Sequence, residues 1–237
     1  MRTYHIFPLS DQAVSLSFGN VISELYNSRV LAIRNWFGNN PFPGVLDLVT
    51  AYSSVTVFYD PVNVKKYCGD QTCVEFISER LEQAVRSVAD EPMQKPTPIR
   101  VPVCYDAEFG LDLGSVCKLT HLSEEEVIKI HSGNIYRVYM IGFLPGFPYM
   151  GEMDTRLQVP RRPSPRQVVE AGGVGLAGRQ TGIYPVNSPG GWQIIGQTPL
   201  RLFDKCKSPV SLLQAGDAVQ FYRISKTDFL SLRATQP

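Results

Sequence analysis

His131 is the titratable residue of this sequence that is best placed to transfer a proton. It lies in the last turn of a predicted helix and directly before a predicted strand. The dipole of a helix favours a protonated imidazole at this end, and histidine titrates near physiological pH. The position is equally compatible with a structural histidine that hydrogen-bonds a carbonyl at the helix end. We therefore treat His131 as a candidate catalytic residue, with a structural role as the alternative.

A basic cluster follows in the segment VPRRPSPR, which contains Arg161, Arg162 and Arg166. A guanidinium group can bind a carboxylate or a phosphate through two parallel hydrogen bonds, and the prolines between the arginines stiffen the backbone. A solvated charged surface or a contact with another protein chain explains any single one of them equally well. We take Arg161 and Arg166 as candidates for substrate binding.

The segment 143–198 interleaves glycines and prolines with aromatic residues, which flexible linkers lack. We interpret it as an ordered loop surface, on which glycine lets the backbone approach a ligand and aromatic rings form the walls of a pocket. Trp192 can alternatively be an anchor of the core. The residues that we predict to line this pocket for a small-molecule substrate, besides the two arginines, are Phe143, Pro145, Gly146, Phe147, Gln180, Tyr184, Ser188 and Trp192.

Residues 173–178 match the pattern G-x-G-x-x-G, which can mark a dinucleotide site. That site requires a helix to begin at the last glycine, and Gly182 and Pro185 exclude a helix after Gly178. We reject this interpretation. A nest of backbone amides that binds an anion stays open, beside the alternative of glycines that only serve packing.

Motifs for independent nucleotide or metal chemistry do not occur in the sequence. It contains no Walker A motif, no nucleophile elbow and no zinc-ligand set. We therefore expect no metal site and no cofactor bound tightly by this chain alone. Nucleotide chemistry by this chain would then require a site that another chain completes.

The composition is that of a soluble globular protein. Of 237 residues, 43% are hydrophobic, and 23 basic side chains balance 22 acidic ones, which favours neither nucleic acid nor an anionic membrane as a partner. The N-terminus has no signal-peptide core, and no window reaches the length of a membrane span, so we expect a cytoplasmic protein. The five cysteines show no metal-binding spacing and are expected to be reduced and mostly buried.

Residues 1–90 are predicted to form a small α/β domain. Alternating apolar residues indicate a strand at 14–18, and apolar residues at helical spacing indicate helices at 22–37 and 74–88. Strands are predicted at Val45–Thr50 and Ser54–Tyr59. The proline-rich residues 91–98 are expected to form a linker.

Residues 99–237 are predicted to form a second domain. Two short helices are expected between 112 and 131, the second of which begins at a capping box formed by Ser123 and Glu126. From residue 135 onward the pattern indicates only short strands, as in a barrel or a sandwich. The fold class is therefore α+β.

Five segments carry a resemblance to a known family: FLPGFPYMG, VPRRPSPR, AGGVGLAG, QTGIYP and SPGGWQIIGQTP. They resemble the signature of the 5-oxoprolinase B-subunit family, which also includes Kip-inhibitor-like proteins and allophanate hydrolase subunit 1. The similarity is dense from Arg100 to Asp204 and looser before. It implies an N-terminal α/β domain followed by a cyclophilin-like β-barrel, and a site role for His131.

The resemblance also implies a function. A protein of this kind opens 5-oxoproline (pyroglutamate) to L-glutamate with ATP and its Mg²⁺ in a complex, where it contacts the 5-oxoprolinase C subunit directly and works together with the A subunit. The alternative is a Kip-type inhibitor that binds a sensor histidine kinase. A third option, carboxyl transfer, requires a biotin carrier that this chain lacks.

The chain departs from the family pattern at two places. Asp106 and Ala107 stand where relatives tend to have glycines, and Gly173 stands where they tend to have a serine. A role for that serine hydroxyl is therefore not transferable to this chain.

Overall fold

The computed structural model describes residues 4–88 and 96–235. Its chain contacts divide into two compact units, Met1–Gln94 and Lys95–Pro237. Of the predicted linker, residues 91–95 lie outside the described part, and residues 96–98 have no regular secondary structure. The prediction that the two halves are separate domains stays a prediction.

The first unit is a four-stranded antiparallel sheet with helices packed on it. Its elements are β1 (His5–Ser10), β2 (Ala13–Ser17), α1 (Glu24–Asn39), β3 (Val45–Thr50), β4 (Ser54–Tyr59), α2 (Pro61–Lys65) and α3 (Cys73–Ser87). The strands lie in the order β1-β2-β4-β3. The core that joins the sheet to α1 and α3 contains Val14, Leu16, Val30, Ile33, Val55, Val57, Ile77 and Leu81.

Local sequence signals explain these elements. Strands β3 and β4 have the predicted bounds, and α1 and α3 lie within two residues of their predicted bounds at each end. The hydroxyl of Thr72 and the side chain of Glu75 form a capping box at the start of α3. The short helix α2 is absent from the sequence prediction; it begins where Asp60 accepts hydrogen bonds from the backbone amides of Val62 and Asn63.

The second unit is built around a seven-stranded sheet. Its elements are β5 (Ile99–Val103), α4 (Leu113–Thr120), α5 (Glu124–Gly133), β6 (Ile135–Ile141), β7 (Pro148–Gly151), a 3₁₀ turn (Thr155–Leu157), β8 (Arg166–Val169), β9 (Gly173–Ala177), β10 (Gln180–Ile183), β11 (Ser188–Gly190), β12 (Gln193–Gln197), β13 (Ala218–Arg223) and α6 (Lys226–Ala234). The two helices predicted between 112 and 131 are α4 and α5, and Ser123 and Glu126 form the predicted capping box.

The seven strands curl into a nearly closed barrel. Their order is β12-β9-β10-β7-β6-β13-β5, and only β13 and β5 pair in parallel. The two edges approach each other where Cys104 and Gln197 exchange backbone hydrogen bonds of 2.9 Å in both directions. The predicted α+β chain with a barrel in its second half is confirmed at this level. The cyclophilin-like assignment stays what the resemblance implies.

Helix α6 contradicts the prediction that only strands follow residue 135. The hydroxyl of Ser225 and the carboxylate of Asp228 form a capping box at its start. The buried ring of Phe229 packs on Phe109 with a centroid distance of 4.4 Å. The capping box is a local signal that would have revealed this helix in the sequence.

Just under half of the glycine- and proline-rich segment 143–198 is strand, so the prediction of a loop surface was wrong for that part. It forms β7 to β12, and its glycines make room for aromatic rings inside the strands. A Cβ at Gly182 would lie 2.9 Å from Cζ of Phe147 and 2.9 Å from the carbonyl oxygen of Pro148. Residues 173–177 form strand β9 and β10 follows them, so the rejection of a dinucleotide fingerprint is confirmed.

The structure was also compared with the expectations for membrane spans, metal sites and cysteines. No helix formed by residues 4–88 and 96–235 is long and apolar enough to cross a membrane. Within the same residues, no group of three histidine, cysteine or carboxylate side chains is arranged to hold a metal ion. All five cysteines are free thiols, but only Cys68 and Cys104 are buried, so the expectation of mostly buried thiols was too strong.

Candidate functional site

His131 lies inside the second unit, completely shielded from solvent. Helix α5 carries it over the barrel, and its ring stacks on that of Phe221 in β13 at a centroid distance of 4.5 Å. Its Nδ1 is 2.9 Å from the hydroxyl of Tyr105, and its Nε2 is 3.0 Å from Oγ1 of Thr181 in β10. Both ring nitrogens therefore have a protein partner.

The hydrogen-bond chain assigns the tautomer of this histidine. The hydroxyl of Thr181 donates to the carbonyl oxygen of Gly175 over 3.2 Å, so its oxygen is left to accept a hydrogen bond. The proton of the neutral ring is then on Nε2, which donates to Thr181. Nδ1 accepts from the hydroxyl of Tyr105, whose pKa is raised by burial.

Burial lowers the pKa of His131 from 6.5 to about 3. The imidazole is therefore neutral at pH 7, in contrast to the protonated ring that we expected from the helix dipole. A buried, doubly hydrogen-bonded, neutral ring matches the structural alternative for this residue. Its participation in proton transfer stays a prediction, and a direct encounter with a ligand requires the barrel to open around it.

Asp112 organises the arginine cluster. Its carboxylate is buried, lies before α4, and accepts hydrogen bonds from Arg162 and from both terminal nitrogens of Arg166, at 2.6 and 3.0 Å. The backbone amide of Ile194 in β12 donates a further hydrogen bond of 2.8 Å to the same carboxylate. Asp112 is the N-cap residue of α4, but its side chain makes no capping hydrogen bond, because these donors occupy the carboxylate.

This network gives the arginines a role that sequence reasoning did not foresee. Arg166, a predicted substrate ligand, holds the start of β8 against the barrel through its two-bond contact with Asp112. The backbone amide of Arg162 donates to the carbonyl of Gly191 over 2.7 Å, which fastens the same segment a second time. Arg161, the other predicted ligand, is exposed. Its role in substrate binding stays a prediction.

The aromatic residues of the predicted pocket pack against each other. Phe147, Tyr184 and Trp192 are buried in one cluster, in which the ring of Phe147 lies 5.2 Å from that of Tyr184 and 5.5 Å from that of Trp192. The position of Trp192 thus agrees with the alternative that it anchors the core. Of the other predicted lining residues, Phe143 and Pro145 are exposed, Gln180 is partly buried, and Gly146 and Ser188 are buried.

The second unit contains a cavity of about 450 Å³, and we call it the basic pocket. Its charged lining consists of Arg201, Lys205 and Arg233. Thr198, Asn187 and Gln197 contribute polar groups, and the remaining lining residues are Ala171, Pro185, Val186, Pro199, Leu200, Phe203 and Phe229. The pocket thus combines side chains that suit an anion with an apolar wall.

A second cavity of about 420 Å³ has the opposite charge, and we call it the acidic pocket. Glu108 and Glu170 line it, together with the apolar residues Phe109, Leu111, Val168, Val169 and Ile194 and with Gly173 and Gln197. Glu108 is paired with Lys226 at 2.6 Å. Gln197 belongs to both linings, and its side-chain amide donates to the carbonyl oxygen of Ala171 over 2.7 Å.

These two pockets are the candidate functional site, and sequence reasoning did not find them. Among the described residues, none of those predicted to bind substrate lines either pocket. Arg201, Lys205 and Arg233 have no common motif, and Arg233 lies on α6, where the sequence prediction has only strands. The one indication in the sequence is the segment GQTP, which ends β12 and places Gln197 and Thr198 at the pockets.

Comparison with known proteins identifies the family. Residues 4–213 match the family described as carboxyltransferase domain, subdomain C and D. The chain is 44% identical over 228 residues to the 5-oxoprolinase B subunit of Bacillus subtilis, an alignment that covers 95% of both chains. It is 40% identical over 219 residues to the 5-oxoprolinase B subunit of Haemophilus influenzae, covering 92% of this chain and 96% of that protein.

A solved structure agrees with these sequence matches. The crystal structure of TTHA0988 superposes with a TM-score of 0.78 and 36% identity over 90% of this chain. The matched part is 40% of TTHA0988, so this chain spans two fifths of that longer protein. The motifs, the barrel and the full-length similarity together show that the chain belongs to the carboxyltransferase-domain family, in which its relatives include the B subunits of 5-oxoprolinases.

Proposed function

We propose that this chain is the B subunit of an ATP-dependent 5-oxoprolinase and that it opens 5-oxoproline to L-glutamate together with the A and C subunits. The observation that carries the proposal is the 44% identity to the Bacillus subtilis B subunit over 95% of both chains. A similarity that spans both halves of the chain supports a common role more strongly than the similarity of a single motif.

The geometry supports a partial site. The two pockets adjoin at the Gln197 side chain, which lines both of them. Residues 173–178, the segment closest to a phosphate-binding motif, are taken up by strand β9 and its turn into β10. We therefore propose that ATP and its Mg²⁺ bind in the assembled complex and that the C subunit supplies the facing wall of the site.

The chemistry explains why several chains would be needed. The lactam of 5-oxoproline is a stable amide, and coupling its opening to ATP requires a phosphate site and protection of the reacting group from water. The rigid barrel of this chain can position one part of such a site. An interface between two chains can exclude water from the rest.

Reconstitution tests this proposal. Glutamate release from 5-oxoproline and ATP is measured for the purified chain, for each pair of subunits and for the mixture of all three at matched concentrations. We expect turnover only in the complete mixture. Turnover by the purified chain alone contradicts the partial site. An inactive complete mixture, combined with tight binding of this chain to a histidine kinase, favours the inhibitor alternative instead.

A further inference from the structure

We propose that the basic pocket binds a small organic anion, and that Lys205 and Arg233 are the side chains that hold its carboxylate or phosphate group. The comparisons name relatives but assign no ligand site in this chain. The inference rests on the cavity itself and does not depend on the proposed function.

The lining of the basic pocket is positively charged. Among the described residues, three cationic side chains line this cavity and no carboxylate does. Asp204, which precedes Lys205 in the sequence, does not line the pocket, but its carboxylate forms an ion pair of 3.4 Å with Arg201. Lys205 and Arg233 therefore supply the net positive charge of the pocket, which is available for a bound anion.

Hydrogen bonds hold the wall of the pocket in place before a ligand binds. The backbone amide of Thr198 donates to the carbonyl of Gly172 over 2.9 Å, and the amide of Gly172 donates to the carbonyl of Tyr184 over 2.7 Å. The side chain of Asn187 accepts a hydrogen bond of 2.8 Å from the amide of Ala171. A preformed wall reduces the entropic cost of ligand binding.

The size and the apolar wall of the pocket limit the kind of anion that fits. Phe229 is buried beneath the pocket, and the guanidinium of Arg233 lies 5.9 Å from its ring, so the cation is next to an apolar wall. A volume of about 450 Å³ is at the low end of ligand sites, which suits a compact molecule with an apolar body. Polar groups of Thr198 and Gln197 can pair with a ligand amide or hydroxyl.

The cationic side chains of Lys205 and Arg233 can bind either a carboxylate or a phosphate group. 5-Oxoproline tests the first, because it joins a carboxylate to a compact lactam ring, and 2-pyrrolidinone is its neutral counterpart without the carboxylate. ATP and inorganic phosphate test the second. Binding of each probe to the purified full-length chain is measured by titration calorimetry and by chemical-shift changes.

The decisive variant is Lys205→Gln combined with Arg233→Gln, and the matched control is Lys207→Gln, whose side chain lies in the same loop but outside the lining. We expect at least one of the anionic probes to bind, 2-pyrrolidinone to bind more weakly, and the double variant to lose about tenfold or more in affinity. The control retains the affinity of the unchanged chain.

Two results overturn the inference. The first is that none of the anions binds at millimolar concentration, and the second is that the double variant binds them as well as the control does. Circular dichroism establishes that both variants are folded. Because the readout is binding to the isolated chain, it is separate from the reconstituted activity, and either proposal can fail without the other.

Discussion

The Nε2 atom of His131 lies 3.0 Å from Oγ1 of Thr181, although 50 residues separate them in the chain. This contact joins helix α5 to strand β10 inside the barrel and is extended by Tyr105 at Nδ1. A buried network in which every polar group has a hydrogen-bond partner stabilises one arrangement of the core. In any other arrangement, a buried group that loses its partner lowers the stability of the fold. His131 is thus part of the buried core, and its role in proton transfer stays a prediction.

The pH dependence of stability follows from this burial. His131 has a pKa of about 3 in the folded chain against 6.5 when exposed. Below pH 6.5 the unfolded chain binds a proton that the folded chain does not, so stability falls as the pH falls towards 3. We expect His131 to account for a loss of about 2 kcal/mol between about pH 7.5 and 5.

Urea unfolding at both pH values measures this loss, with His131→Gln as the comparison because glutamine does not titrate. The unchanged chain should lose about 2 kcal/mol more than the variant over this range. Equal losses in the two proteins would show that His131 takes up its proton in the folded state.

Replacement of His131 by alanine separates the structural from the catalytic role. We expect His131→Ala to lower the free energy of unfolding by about 2–4 kcal/mol, because it leaves a cavity, a Tyr105 hydroxyl without an acceptor and a Thr181 oxygen without a donor. Turnover per folded complex should stay within a few-fold of the unchanged protein. A variant that folds normally but loses about 10²–10⁴ in turnover would instead identify a proton-transfer residue.

The arginine cluster offers a matched pair of substitutions. Arg166→Lys cannot keep both hydrogen bonds to Asp112, so we expect it to lower stability by about 1–3 kcal/mol. Arg161→Lys changes an exposed neighbour that is not part of this network and should alter stability by less than about 0.5 kcal/mol. Thermal and urea unfolding compare the two variants, and equal effects would contradict the role assigned to Arg166.

Packing of the glycine-rich strands is tested by Gly182→Ala. The added methyl group meets Phe147 and the backbone of Pro148 at 2.9 Å, so we expect a loss of about 1–3 kcal/mol. Gly114→Ala is the control, because this helical glycine has open space around its Cβ position, and it should gain about 0.4–1 kcal/mol. A neutral Gly182→Ala would show that the strands can separate at little cost.

The division into two compact units leads to a prediction about fragments. The fragment Lys95–Pro237 contains the whole barrel with helices α4 to α6, and we expect it to fold cooperatively by itself. Limited proteolysis should cut within the predicted linker, residues 91–98, before it cuts helix α1. An insoluble fragment, or cleavage in α1 at the same rate, would contradict independent folding.

Helices and strands that are determined by residues close together in the sequence could be predicted from it. The alternation in Ser54–Tyr59 predicted β4 with its observed bounds, and the capping box of Ser123 and Glu126 located the start of α5. Such signals act over a few residues, within one strand or one helical turn, so they survive without knowledge of the fold. The family motifs in the second half likewise pointed to the family that the comparisons show.

Contacts between distant residues were decided by the tertiary structure alone. Arg166 binds Asp112, 54 residues earlier, and the basic pocket brings Asn187 and Arg201 together with Arg233 of helix α6. Nothing in the local pattern distinguishes an arginine that binds a ligand from one that holds two strands together. The glycines of segment 143–198 are ambiguous in the same way. A glycine is required where the backbone approaches a ligand and also where it packs against a ring such as that of Phe147, because a Cβ would clash in both cases. Only the path of the barrel brings the partner to each residue and so determines its role.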